Sequence, residues 1–242
     1  MRPINKGGWP TRKNNSAIKL VFTDWSKARV HLVERTGQYC HLCEIQLPMG
    51  LAVEHIKPKE IYKSLSNNWS NFLLICTSCN SRKKVSDPVR PYRFRYYWPH
   101  LNNTLMAFCT SLTGPDALLV KPHSGLSAAQ LTRAEATIEL YKLDQRLLAS
   151  GEGDARYTRK AEIGSKAVRR YLEYKSAICT LDSILDNVLS DGFFSLWLEV
   201  FKNEKVVIDA ILDLPGFFID RPNWFNATND PVGRNPTRPD VI

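Results

Sequence analysis

YCHLCEIQLPMGLAVEHIKPK (residues 39–59) and NFLLICTSCNSRKK (residues 71–84) are the two stretches on which the fold turns. Cys40 and Cys43 form one C-x-x-C, and Cys76 and Cys79 form a second, with 32 residues between the pairs. Two thiolates on a tight turn grip one edge of a tetrahedral ion, and a second pair completes it. Soft sulfur ligands in that geometry select zinc. A four-cysteine shell has no open position, so the ion is structural, and its binding would stabilise the fold by roughly 10 kcal/mol or more if it behaves as in zinc-finger peptides.

The residues between the pairs decide whether the clip only holds the chain or also assembles chemistry. LAVEHI (51–56) is short and β-favouring and reads as a strand, with NFLLI (71–75) as its partner. CNSRKK then opens a helix, and KPKEIYKSLSNNWS (57–70) is a long polar loop. The clip thus brings Glu54-His55 beside the turn that leads to Asn80. A carboxylate and a neutral oxygen ligand can hold a hard cation such as Mg²⁺, which binds phosphate oxygens. A histidine with a pKa near ~6.5 takes a proton from water at neutral pH, and neighbouring lysines and arginines hold a phosphate backbone.

Those residues closely resemble the HNH endonucleases, the ββα-metal family, over about 45 residues. The family pattern is C-x-x-C, an acidic residue or histidine followed by His, an Asn, then C-x-x-C-[H/N]-x-x-[K/H]. Here it falls on Cys40/Cys43, Glu54-His55, Asn71, Cys76/Cys79-Asn80 and Lys83. The resemblance implies that His55 is the general base, that Glu54 and Asn80 hold a catalytic Mg²⁺ or Mn²⁺, and that Asn71 braces the loop and orients the histidine. Lys83 matches a basic position that touches phosphate. Arg82, Lys84 and Lys57 are its basic neighbours and join the candidate nucleic-acid contacts. The final metal position is Asn80 rather than His; an amide oxygen is the weaker ligand, and many members of the family use Asn there. Neighbouring strand residues face opposite sides, so Glu54 and His55 share one site only if the strand ends or bends there, as Lys57-Pro58 allows.

The start MRPINKG, the core run and the later AEATIELYKLD (134–144) also resemble the PtuB-like HNH nucleases of Septu-type and retron-associated anti-phage systems. That resemblance implies a DNA-cutting subunit held in check by an ABC/SMC-like ATPase. The alternatives are a stand-alone restriction-type nuclease, an enzyme that cuts RNA such as tRNA, and a zinc-stabilised nucleic-acid-binding subunit with a silent site.

The expected fold class is α+β: a small zinc-stabilised ββα-metal core followed by a mainly α-helical C-terminal region. The expected divisions are a basic arm and helix (1–38), the nuclease core (39–100), a helical region suited to docking a partner (101–220) and an irregular tail (221–242). Residues 1–15 read as an extended arm, and Asp24 and Gly37 bracket a helix over 24–37. PYRFRYYW (91–98) alternates as a strand would, with Tyr92, Phe94, Tyr96 and Trp98 on one face and Arg93 and Arg95 on the other. That strand either packs its aromatics on the core or stacks bases between its arginines. Two long amphipathic segments follow, over 127–148 and 159–189. In the second, Tyr171, Tyr174, Ile178, Leu181, Leu185 and Val188 step by three and four as a helix-packing seam does. Shorter helices are expected over 191–212, and Trp224 and Phe225 would anchor the tail on this chain or on a partner. Cys109 and Cys179 read as buried thiols.

Net charge is +9, and it is concentrated: residues 1–100 hold 17 Lys/Arg against 6 Asp/Glu. A basic half joined to a near-neutral one points to a polyanion. No run approaches the ~20 apolar residues of a membrane span, and the basic N-terminus lacks the apolar stretch of a signal peptide. A cytoplasmic protein with no membrane contact is expected, and a reducing compartment disfavours disulfides.

Overall fold

The computed structural model describes residues 1–83, 92–215, 221–234 and 241–242, without the side chains of Tyr92 and Arg93. Asp24 opens the first helix: its carboxylate accepts from Ser26 N at 2.8 Å and starts a 3₁₀ turn over Trp25–Lys27. The turn continues into α1 (Ala28–Thr36). Ala28, Leu32 and Thr36 step by four, so they share one face and are the helix's buried residues. The helix stops at Gly37, whose φ of 74° suits glycine.

Beyond it the chain folds as ββα. β3 (Ala52–His55) pairs antiparallel with β4 (Phe72–Ile75) in the register Ala52↔Ile75 to His55↔Phe72. α2 (Thr77–Arg82) follows at once, with Cys76 as N-cap, its sulfur accepting from Cys79 N at 3.4 Å. The 57–70 loop is ordered by 3₁₀ turns at Lys63–Leu65 and Trp69–Asn71. The core order expected from the cysteine spacing is present, and the class is α+β.

The extended-arm reading of residues 1–15 is corrected. Met1, Arg2, Ile4 and Lys6 are buried, and Ile4 N bonds Pro99 O. Arg2 donates to Thr36 O at 2.8 Å and lies over the Tyr39 ring. Arginine and lysine enter a core when fixed carbonyls and rings meet them, which charge alone does not signal. Only residues 11–19 leave the body, as a hairpin of β1 (Thr11–Arg12) and β2 (Asn15–Lys19).

The strand expected at 91–98 is corrected as well. Tyr92–Arg95 is a helical turn, α3, and no described strand pairs with it. Tyr96, Tyr97 and Trp98 are buried consecutively, and Phe94 is exposed. They are held by α5 (Ala128–Tyr141), where Arg133 lies 4.1 Å from the Tyr97 ring centre and Thr137 accepts from Tyr97 N. Between them lie α4 (Thr104–Ala107) and a short pair, β5 (Phe108–Cys109) with β6 (Lys121–Pro122). All of this shares one core with the ββα unit. α5 starts on a capping box, Ser127 with Gln130.

A second core follows, from α6 (Ala155–Lys175), α7 (Leu181–Asp191), α8 (Phe194–Val200), α9 (Lys205–Leu212) and α10 (Arg221–Trp224). The segment expected to run through 159–189 is two helices. The chain reverses after Lys175 with Ala177 at φ 55°, and Thr180 caps α7. The seam is therefore split: Tyr171 and Tyr174 pack on Phe201, Ile184 and Val188 carry α7 into the core, and Ile178 is exposed at the bend. The tail expected to be irregular contains α10, and Trp224 and Phe225 are buried on this chain. Cys109 is exposed and Cys179 half-buried, against the expectation of buried thiols. Among the described residues no helix is long and apolar enough to cross a membrane.

The two cores meet at the first C-x-x-C turn, Cys40 to Cys43. Glu44 O accepts from Phe193 N at 3.0 Å, its side chain accepts from Ser195 N at 2.8 Å, and Ile45 bridges Gly192. Gly192 has φ 73°, and a Cβ there would strike Glu44 O.

Candidate active site

Cys40, Cys43, Cys76 and Cys79 place their sulfurs within 4.8 Å of one another, with Cys43 and Cys76 3.7 Å apart. Zinc–sulfur bonds of about 2.3 Å in a tetrahedron require sulfur–sulfur edges of about 3.8 Å. The set fits a zinc ion in spacing and in chemistry. His41, between the first two ligands, locks the turn to β4. Its Nδ1 accepts from Leu74 N at 3.0 Å, so Nε2 carries the proton and meets Thr36 Oγ1 at 2.7 Å. Burial holds it neutral, well below the usual histidine range. Arg156 brings a cation to the thiolates, 3.6 Å from Cys79 Sγ. It is buried and fixed by Asp154, Tyr141 O and Lys142 O.

Glu54, His55, Asn80 and Lys83 line one open cleft of about 240 Å³. β3 ends at His55, which is how two neighbouring residues come to face the same space. Desolvation lowers the His55 pKa below the usual histidine value, against the pull of the Ser66 carbonyl and Glu54. The ring is therefore neutral at pH 7. Its Nε2 sits 2.8 Å from Ser66 O, an acceptor only, so Nε2 carries the proton and Nδ1 keeps a lone pair. Trp25 and Phe72 each meet the ring edge-on with centroids 5.4 Å away, which fixes its plane.

Asn71 does not line the cleft. Its amide closes the base of the 57–70 loop: Oδ1 accepts from Lys57 N at 2.8 Å, and Nδ2 donates to Lys57 O at 3.0 Å and Leu65 O at 3.2 Å. Ser66, the partner of His55, is the next residue after Leu65. Lys6 supports the same loop from below, donating to Trp69 O, Ser70 O and Phe72 O at 2.9, 3.1 and 2.8 Å. Burial pushes its ammonium down to about 7, while three carbonyls engage its three protons.

The basic candidates do not share one surface. Lys83 is turned inward, bonding Glu54 Oε1 and the carbonyls of His55 and Ile56. Arg82 faces the helical half, on Gln145 Oε1 at 2.7 Å and Asp154 Oδ2 at 3.1 Å. Lys57 lies 5.0 Å from the Tyr62 ring centre, and Arg95 is exposed beside Tyr96. Lys84 and the side chain of Arg93 lie outside the described residues. Sequence reasoning missed Trp25, Lys59 and Glu60, which also line the cleft, with Lys59 4.7 Å from the Trp25 ring centre. Lys59 and Glu60 stood in a stretch read only as loop, and the C-x-x-C spacing does not reach Trp25.

Comparison with known proteins falls on this same stretch. Residues 38–86 match the HNH endonuclease family. These residues form an HNH domain. The chain is also 35% identical over 68 residues to the Septu protein PtuB of Bacillus thuringiensis, a match covering 26% of each chain. The likeness to that curated relative therefore spans about a quarter of its length, and the helical half lies largely outside the family match.

Proposed function

We propose that this protein is a metal-dependent HNH endonuclease that hydrolyses phosphodiester bonds, with DNA as its substrate. The observation that carries the reading is the convergence of His55, Glu54 and Asn80 in one cleft of the HNH domain. A neutral imidazole whose Nε2 is committed to Ser66 O has Nδ1 left to take the proton of the attacking water. The same Ser66 carbonyl then offsets the positive charge that the ring acquires. Glu54 and Asn80 offer a carboxylate and an amide oxygen, a donor set that suits Mg²⁺ or Mn²⁺. Such an ion, when bound, stabilises negative charge on the phosphate oxygens. Lys83 ties α2 to the end of β3 and so keeps Asn80 with Glu54. Asn71 holds the loop that presents Ser66, and acts on the chemistry through His55.

The likeness to a Septu protein supports a role in anti-phage defence of the Septu or retron-associated kind, in a complex with an ABC/SMC-like ATPase. Co-expression with a neighbouring ATPase and size-exclusion should then give a shared peak, and separate elution would remove the partner from the reading. The nuclease itself is tested with plasmid DNA and total tRNA in Mg²⁺ or Mn²⁺, alongside His55→Ala. Metal-dependent cutting of DNA that the variant loses supports the proposal. Cutting of tRNA alone would redirect it to RNA, and cutting unchanged in the variant would reject the assigned base.

A further inference from the structure

The β1–β2 hairpin contributes to neither core. Every residue from Thr11 to Lys19 is exposed, and among the described residues its two strands pair only with each other. An isolated two-stranded hairpin is marginal in water, so its placement outside the body calls for a use. Its composition points to one. No Asp or Glu precedes Asp24, and the hairpin presents Arg12, Lys13, Asn14 and Lys19. Among the described residues, no hydrogen bond or ion pair holds the side chains of Arg12, Lys13 or Asn14. Elsewhere in the basic half some charges turn inward, with Arg2, Lys6, Arg82 and Lys83 spent on carbonyls or carboxylates of this chain, while Lys27, Arg29, Lys63 and Arg95 stay exposed on the body. Arg12 and Lys13 carry charge that the fold itself does not use, whereas Lys19 lies 6.0 Å from the Trp9 ring centre.

Its foot is rooted beside the cleft. Trp9 Nε1 donates to Leu20 O at 2.7 Å, and Trp9 packs on Phe22. Phe22 packs on Phe72, and Phe72 on His55. Trp25, which edges the His55 ring, is six residues past Lys19. That length of chain spans at most about 21 Å, or about six base pairs of a duplex at 3.4 Å each.

We infer that the β1–β2 hairpin is a groove-binding element for duplex DNA, engaging the major groove to one side of the bond cut at His55, with its foot at Lys19 within about six base pairs of Trp25. The inference rests on the nuclease reading for the position of the cut. A ribbon of two strands about 4.8 Å apart fits the roughly 12 Å major groove of B-form DNA. The deep, narrow major groove of an RNA duplex excludes it, and a single strand offers no groove. Arg12 and Lys13 meet phosphates, and Asn14 at the tip brings an amide, the group that pairs with the adenine edge.

The test separates binding from cutting. The full-length chain carrying His55→Ala is compared with the same chain carrying also Arg12→Ala, Lys13→Ala and Asn14→Ala. Fluorescence anisotropy then follows a 30-bp DNA duplex, an RNA duplex of the same sequence and a single DNA strand between about 50 and 200 mM salt, the range in which phosphate contacts are read. Zinc content and melting temperature confirm that both proteins fold. The hairpin variant should bind duplex DNA about tenfold or more weakly, with a salt slope shallower by about 1.8 for two lost phosphate contacts. Arg12→Lys with Lys13→Arg should keep the parent slope. Unchanged affinity and slope, an equal loss on single strands or RNA, or no binding of duplex DNA by the parent would each overturn the proposal. Cutting is read separately on the unmodified chain, so the nuclease reading and the hairpin can fail independently.

Discussion

In the cysteine clip, four sulfurs crowd together with a buried arginine beside them and a buried histidine behind, and three of the four cysteines are buried. In the cleft, Asn80 follows the last zinc ligand directly and lines a space of about 240 Å³ that opens to solvent. The clip is held by the ligands themselves. The cleft is held at second hand: Ser66 fixes His55, Asn71 fixes the loop that carries Ser66, and Lys6 fixes the turn that carries Asn71. A change in the first region should therefore remove the fold, and a change in the second should remove chemistry from an intact fold.

Four substitutions can break or sharpen that contrast. The largest effect belongs to Cys76→Ser. It removes a ligand and weakens the α2 cap, and loss of zinc should cost on the order of 10 kcal/mol. Zinc content and thermal melting should fall together; retained zinc with an unchanged melt would mean that three cysteines suffice. Next is His55→Ala, with cleavage reduced roughly 10²–10⁴-fold while zinc and melting temperature stay. A variant that cuts poorly only because it has unfolded would erase the contrast.

Asp154→Ala comes third and probes the seam between the regions. The carboxylate is buried, caps α6 and meets both Arg156 and Arg82, and breaking such a buried pair costs about 3–5 kcal/mol. Burial pulls the Asp154 carboxyl up, but the Arg156 hydrogen bonds and charge outweigh it and hold the group below the usual carboxylate range. Its stabilising effect is thus full above the unfolded value of about 3.9 and lost as pH falls through the folded one. Urea melts across acidic pH should show that limb in the parent and a flatter one in the variant. The smallest effect is Asn71→Ala: three hydrogen bonds lost at about 1 kcal/mol each. Stability should drop modestly and kcat more than KM, since the residue acts through His55. A pure KM effect would place Asn71 at the substrate instead.

What could be read in advance follows from how local each signal is. The clip, β3, β4 and α2 lie within one stretch where spacing brings groups together, and that spacing with the resemblance to the HNH pattern made Glu54, His55 and Asn80 nameable as candidates. Lys6 was not, because its three carbonyls come from residues more than sixty positions away. The basic half read as a surface for a polyanion, yet several of its charges close the fold, and a count of charges carries no direction. Tyr92 to Trp98 alternate on paper, but alternation specifies a strand only when a partner strand is present, and α5 takes that place. The bend after Lys175 had no glycine or proline to announce it: Ala177 adopts the left-handed conformation between two helices that close on each other.

Glu44 leaves a mark on how such a protein can change over generations. The rim of its zinc turn is completed by Ser195, 151 residues further along the chain. A shuffled gene segment carrying only residues 38–86 would move every recognisable letter of the HNH pattern and leave that rim unpaired. The piece that must be kept together is longer than the motif that marks it, because the helical half completes that turn.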